Sequence, residues 1–229
     1  MDPEEDYPTR GVISARKNLE HEQVAMQRHR IGVREASARD FGGEINLNLG
    51  CGPNVRSGWI NVDLFNADAD LSLDLREPWP FPNGCATTVY SEHAFEHLEH
   101  PTETHHYLEE AYRVLKPGGR LSIGVPDTEW PIRAYADPQD SYWATAKTRW
   151  HPQQCSTRMD HLNYHFRQDG EHKFAWDYET LRILVELKGF ADVARRAFDE
   201  RVDCVDRALG TIYLDGMKPM ASRPARAKA

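Results

Sequence analysis

Two glycines and an acid are the first residues of this chain that suggest chemistry. The apolar run Ile45–Leu49 breaks into Gly50-Cys51-Gly52, and a second run, Trp59–Val62, ends on Asp63. Glycine accepts positive φ and lets a ligand approach the backbone closely. An acid at the tip of the next strand can accept hydrogen bonds from both hydroxyls of a ribose. Together they point to an adenosine-type cofactor. A nicotinamide dinucleotide calls for Gly-x-Gly-x-x-Gly and an acid about 20 residues further on. Here Val55 stands at the third glycine position and Asp63 comes too early.

Histidines are the second group. His151 lies between Trp150 and Pro152, where the indole could stack on a sugar face, and His161 and His165 are four apart, on one face of a helix. His93 follows the β-branched run Thr87–Tyr90, and Asp127 follows Arg120–Val125. Neutral imidazole is a common general base for a hydroxyl. His151, His93, His161, His165 and Asp127 are therefore the candidate catalytic residues, with His151 first. A divalent metal such as Mg2+ is a minor alternative. Asp127, Asp160, Glu171 and His172 have ligand chemistry but no diagnostic spacing.

The bulk numbers narrow the classes. A net charge of −8 argues against a nucleic-acid groove. No apolar run approaches the roughly 20 residues of a membrane span. The acidic start MDPEEDYPTRG lacks the apolar core of a signal peptide. Cys51, Cys85, Cys155 and Cys204 form no Cys-x-x-Cys pair, which excludes a common zinc framework and suits reduced thiols in a cytoplasmic protein. With 229 residues the chain suits one α/β domain with additions. A homodimer is compatible with the sequence, which does not fix the oligomeric state.

These residues need elements to hold them. The patterning predicts strands at Ile45–Leu49, Trp59–Asp63, Leu71–Leu75, Thr87–Tyr90, Arg120–Val125, Ala191–Phe198 and Ala208–Leu214. It predicts helices over Pro101–Leu115 and Asp177–Lys188, the first stopped by Lys116-Pro-Gly-Gly119 and the second capped by Asp177 and ended by Gly189. Residues 11–40 carry a helical pattern of one or two helices, which either pack on the sheet or form a lid. Residues 1 to about 10 are disordered by composition, and 218–229 read as a flexible tail. The alternation implies a Rossmann-like, mostly parallel seven-stranded sheet with helices on both faces. An extension at 1–40 precedes a domain at 41–217. Residues 126–176, after strand five, hold four of the six tryptophans and four histidines with weak periodicity, and are the expected acceptor-site insertion.

Four segments in this order resemble the class I methyltransferases that use S-adenosylmethionine: Leu47-Asn-Leu-Gly-Cys-Gly52, Asn61-Val-Asp63, Tyr90-Ser-Glu-His-Ala-Phe-Glu-His-Leu98 and Val114-Leu-Lys-Pro-Gly-Gly119. The likeness runs from about Ile45 to Val125 and resumes over Asp177–Phe190. It implies S-adenosylmethionine as cofactor, with Gly50, Cys51 and Gly52 near its methionine part and Asp63 and Leu64 at the ribose. It implies Asp74 and Leu75 at the adenine, and Ser91, Glu92 and His93 near the reactive methyl. Ser91-Glu-His-Ala stands where methyltransferases of DNA amino groups often carry Asn-Pro-Pro-Tyr, which turns the reading away from DNA. Only six residues separate Gly52 from Trp59. A parallel crossover normally needs about 10–12 or more, so the first crossover helix must shrink to about a turn. A compact subgroup encoded with bacterial glycan-synthesis genes is similar in this respect. The resemblance implies an O-methyltransferase acting on a sugar or oligosaccharide hydroxyl, with another small hydroxylated metabolite, or a cofactor-binding protein without catalysis, as alternatives.

Overall fold

The structure, a computed structural model, describes residues 8–220. Six strands form one sheet: β1 (Ile45–Leu49), β2 (Ile60–Val62), β3 (Ala86–Glu92), β4 (Leu115–Pro126), β5 (Ala191–Arg196) and β6 (Thr211–Met217), in the order β2-β1-β3-β4-β6-β5. β1 to β4 run parallel, and β6 is antiparallel to both β4 and β5. The central strands are buried along most of their length. Leu47, Leu49, Val89, Leu121 and Ile123 have no exposed surface, as expected of a parallel sheet covered by other layers. From β1 the chain steps one way to β2 and then returns past β1 to β3. In such sheets a crevice opens at the carboxyl ends of the strands where the order reverses. That point lies between β1 and β3.

α1 (Arg10–Ser37) is capped by Thr9, whose hydroxyl accepts from Val12 N at 3.3 Å. It buries only Ala25, Gly32 and Ala36. A Cβ at Gly32 would strike the Ser72 carbonyl, so glycine lets the helix cross directly on the 71–75 segment. α2 (Thr102–Val114) buries Tyr107, Leu108, Ala111 and Val114 against Trp79 and Phe95, among others. α6 (Tyr178–Leu187) starts at Asp177, which accepts from Thr180 N at 2.8 Å, and packs on β5 and β6. No helix among the described residues is long and apolar enough to cross a membrane.

Several expectations need correction. The sheet has six strands among the described residues, not seven. Leu71–Leu75 contributes only a bridge, Leu71 to Val62. Asp74 N donates instead to His29 Nδ1 of α1 at 3.1 Å, so the segment turns from the sheet to the helix. Residues 11–40 hold a single helix, within the expected one or two, and it runs through Gly32 to Ser37. The β1–β2 link contains turns and no helix. Its polar groups are met by a small network instead. Asn48 Nδ2 donates to Asn61 Oδ1 and Asn54 O, both at 2.9 Å, and Asn61 Oδ1 also accepts from Arg56 N at 2.7 Å.

Between β4 and α6 the weakly periodic segment is helical: α3 (Glu129–Ala134), α4 (Ser141–Thr145) running into a π-helical turn, and α5 (Arg158–Arg167). These short pieces surround a separate small core of Ala134, Tyr142 and Ala146, walled by Trp130, Trp143 and Trp150. The disorder expected before residue 8, and most of the flexible tail, fall outside the described residues. Lys218 is held in place, its ammonium donating to the Tyr112 and Leu115 carbonyls at 2.6 and 2.7 Å.

Candidate active site

The crevice at the switch point is a cleft of about 780 Å³. Gly50, Gly52, Asp63, Leu64, Asp74, Leu75 and His93 all line it. Gly50 lies at φ 62°, and a Cβ there would collide with the Ala94 methyl, so the exits of β1 and β3 approach as closely as backbone allows. Gly50→Ala is expected to cost about 2–3 kcal/mol, from the left-handed backbone and the clash. A melting temperature equal to wild type would contradict this. Asp63 shapes the same loop. One carboxylate oxygen accepts from Gly52 N at 2.9 Å, and the other accepts from Phe65 N and Asn66 N, both at 2.9 Å. With three bonds accepted, one of the four or so lone-pair sites is left, on the oxygen that meets Gly52 N.

Asp74 is less free. Arg76 spans its carboxylate, with Nε at 2.9 Å and Nη2 at 2.7 Å, and also grips Glu22 of α1 at 2.8 Å. Burial opposes the ionised form of Asp74, but the Arg76 contacts outweigh it and hold the carboxyl below its ordinary value. Asn18, His21 and Glu22 complete this end of the cleft, so α1 forms part of its wall. Cys51 is buried, its thiol donating to Gly52 O at 3.4 Å and pushed up to about 11 by burial. Ser91 is fully buried. Glu92 accepts from Tyr213 OH at 2.7 Å and from Cys204 N, while Arg207 donates to its backbone carbonyl at 2.6 Å. Neither Ser91 nor Glu92 lines the cleft; Glu92 instead fixes Arg207, which does.

A second cavity, of about 310 Å³, adjoins the first, and His93 and Arg207 line both. Trp150, His151, His165 and His172 form its other walls, with Arg149, Tyr164 and Asp206. The β3 exit, the segment after β4 and the β5–β6 loop thus meet here. His93 sits in the left-handed region at φ 53°. Thr211 Oγ1 donates to Arg207 O at 2.7 Å and lies 2.8 Å from His93 Nε2, so it accepts from that nitrogen. Nδ1 of His93 then carries the lone pair, and no protein group bonds it among the described residues. Burial, followed by the charge of Arg207, holds His93 well below 6.5.

The other candidate bases are more tied. His151 Nδ1 and His161 Nδ1 share a proton at 2.8 Å. His165 Nε2 donates to the Asp127 carbonyl at 3.1 Å. Burial lowers His151 to about 3 and His165 to about 4, so both are neutral at pH 7. The Asp127 carboxylate caps α3, accepting from Glu129 N at 2.8 Å, and does not line either cavity. The suggested metal set of Asp127, Asp160, Glu171 and His172 is not assembled. Asp160 is committed to the capping box of α5 with Thr157, and Glu171 accepts from Gln168.

A depressed histidine costs stability in acid. The unfolded chain takes a proton near 6.5, whereas folded His151 takes one only near 3. The unfolded state therefore binds more protons between those values, and stability falls as pH drops through 6.5. His161, His165, Tyr142 and Tyr164 surround the ring, and none is an acid that would reverse the sign. Urea midpoints at pH 7.5 and 5 should show a smaller loss in His151→Gln than in wild type. An equal loss would contradict the assignment. Glu96 acts in the opposite sense, since burial pushes its carboxyl up to about 8.

Sequence reading missed Arg207, Thr211, Arg149 and the α1 residues, because nothing local marks a polar residue in a loop or on a solvated helix as facing a distant strand exit. Residues 47–123, about a third of the chain, match the family model described as a methyltransferase domain. No curated protein matches. Among solved structures, the chain is similar to a SAM-dependent methyltransferase from Archaeoglobus fulgidus (TM-score 0.48, 19% identity, 86% of this chain and 94% of that one). It is also similar to a protein solved in complex with the Haloferax volcanii Trm112 methyltransferase activator (0.46, 19%, 87% and 94%). A third is Haemonchus contortus phosphoethanolamine N-methyltransferase 2 bound to S-adenosyl-L-methionine (0.45, 13%, 83% and 52%). The matched segment is a methyltransferase domain, which supports methyl transfer with S-adenosylmethionine as the cofactor. The cleft at the switch point, open above Gly52 and walled by Asp63 and Leu75, fits that cofactor.

Proposed function

We propose that the protein is an O-methyltransferase acting on a hydroxyl of a sugar or oligosaccharide. The observation that carries the reading is the sharing of His93 and Arg207 between the two cavities, which sets a polar, tryptophan-walled acceptor pocket against the cofactor cleft. Asp63 would hold the ribose, Leu75 would back the adenine, and Asp74 would meet the adenine amino group. When bound, the cofactor supplies an electrophilic methyl group on a sulfonium.

The chain's own work is to hold the acceptor oxygen in line and take its proton. His93 Nδ1 would accept that proton from the acceptor hydroxyl as the oxygen takes up the methyl group the cofactor would supply. Thr211 holds the ring in the tautomer this requires. Trp150 offers a face for a sugar ring, and Arg149 and Asp206 offer hydrogen bonds to neighbouring hydroxyls. α1 acts as a lid, since its Asn18, His21 and Glu22 already border the cleft.

The test is methyl transfer from labelled cofactor to a saccharide panel, with products analysed as methyl ethers. Label in a sugar ether is the expected result. Transfer only to non-sugar hydroxyls would move the reading to another small metabolite, and transfer only to amines would overturn O-methylation.

A further inference from the structure

Among the described residues, Glu96 is a buried acid whose surroundings do not account for it. It lies in the 3-10 turn Phe95–His97 after β3, is 2% exposed, and neither carboxylate oxygen has a hydrogen-bond partner. A buried carboxyl group without a partner is costly, and native structures rarely tolerate one. Two ring nitrogens face it: His97 Nε2 at 3.9 Å and His172 Nε2 at 4.0 Å from Oε1. Both histidines use their other nitrogen elsewhere. His97 Nδ1 donates to Glu171 O at 3.2 Å, and His172 Nδ1 donates to His165 O at 3.1 Å. That arrangement leaves the lone pair on Nε2 in each ring. Anchoring one imidazole nitrogen on a carbonyl while presenting the other is the usual way a protein orients a metal-ligating histidine. Backbone bonds from Lys173 N (2.8 Å) and Phe174 N to Glu96 O tie the two segments together, so the three donors are held from both sides.

We propose that Glu96, His97 and His172 form a binding site for one divalent first-row transition cation. Two imidazoles and one carboxylate are a donor set suited to Fe2+, Mn2+ or Zn2+, and a poor one for Mg2+, which prefers oxygen alone. In a tetrahedral site, bonds of about 2.0–2.2 Å put donors roughly 3.4 Å apart, so Glu96 Oε1 and each imidazole nitrogen must close by about half an ångström. His97, whose side chain is 38% exposed, has room to move. His97 lines the cofactor cleft and His172 lines the histidine pocket, so the cation sits where the two meet, with coordination positions left for solvent or an acceptor oxygen. A second trio, His151, Cys155 and His161, is also within ligating range of itself, but its two imidazoles are bonded to each other and its thiol faces Asp160 O.

Cation binding here does not depend on the identity of the acceptor. Chelator-treated protein is titrated with Zn2+, Mn2+, Mg2+ and, without oxygen, Fe2+, by calorimetry. X-ray absorption of the loaded wild type then reads its ligand shell. One cation per chain is expected, with a shell of nitrogen and oxygen without sulfur. Glu96→Gln, which keeps the shape of the side chain, and His172→Ala are each expected to weaken binding at least tenfold. Failure of the wild type to bind any transition cation would overturn the proposal. So would a sulfur ligand, or binding that survives Glu96→Gln but is lost in Cys155→Ser.

Discussion

Asp63→Ala is expected to weaken S-adenosylmethionine binding by at least 100-fold while the sheet stays folded. The residue has two tasks in one carboxylate. It accepts from the backbone N–H groups of Gly52, Phe65 and Asn66, which fixes the loop after β1 against the turn after β2. Its one remaining lone-pair site belongs to a residue that lines the cleft, where a ribose hydroxyl would donate. A hydrogen bond to a charged group contributes about 1.5–3 kcal/mol, so losing it supplies most of the 2.7 kcal/mol or so of a hundredfold change. Loosening of the Gly50–Gly52 turn adds to this. Asp63→Asn should fall between, because the amide oxygen retains part of the acceptor role. Calorimetric titration with the cofactor decides the matter. Wild-type affinity in Asp63→Ala would remove Asp63 from the cofactor site.

His93→Asn is expected to lower kcat by about 100-fold or more, in the range a lost general base costs, with cofactor affinity unchanged. Asparagine is the choice because it tolerates the left-handed conformation that His93 adopts at φ 53°. The fold should therefore survive while the proton acceptor is lost. His151→Ala should retain more turnover, since the His151 Nδ1 is engaged by His161. The pH profile gives a second reading. His93 is held well below 6.5, so it remains the free base from pH 8 down past 6.5, and no histidine-type loss of kcat should appear near 6.5. Near-normal turnover in His93→Asn would pass the role to another group of the pocket.

How much was legible beforehand differs by element. Where the periodicity was strong, sequence and structure agree on β1, on the helix after Pro101, which ends at Val114 as β4 begins, and on the helix that Asp177 caps. These depend on neighbours within a few residues, on apolar spacing and on the φ preferences of proline and glycine. Leu71–Leu75 alternates like a strand, yet Asp74 N is claimed by His29, a residue 45 positions away. No local pattern encodes that competition. The 126–176 segment is read weakly for a related reason. Its short helices are stabilised by a private aromatic core around Tyr142 rather than by long amphipathic faces.

The candidate site divides along the same line. The glycine loop and Asp63 were legible because a turn that needs positive φ and an acid at a strand tip leave a mark on the sequence itself. Residue types alone also raised His93, His151, His161 and His165. Only the tertiary structure separated them, because a histidine's role follows from which nitrogen is bonded, and to what. Thr211 holds His93 with one nitrogen free, His161 occupies His151, and the Asp127 carbonyl occupies His165. Glu96, His97 and His172 show the same limit most fully. Glu96 and His97 are adjacent, but His172 reaches them only because the chain after α5 folds back onto the end of β3, and an orphaned carboxylate becomes visible only once its surroundings are known.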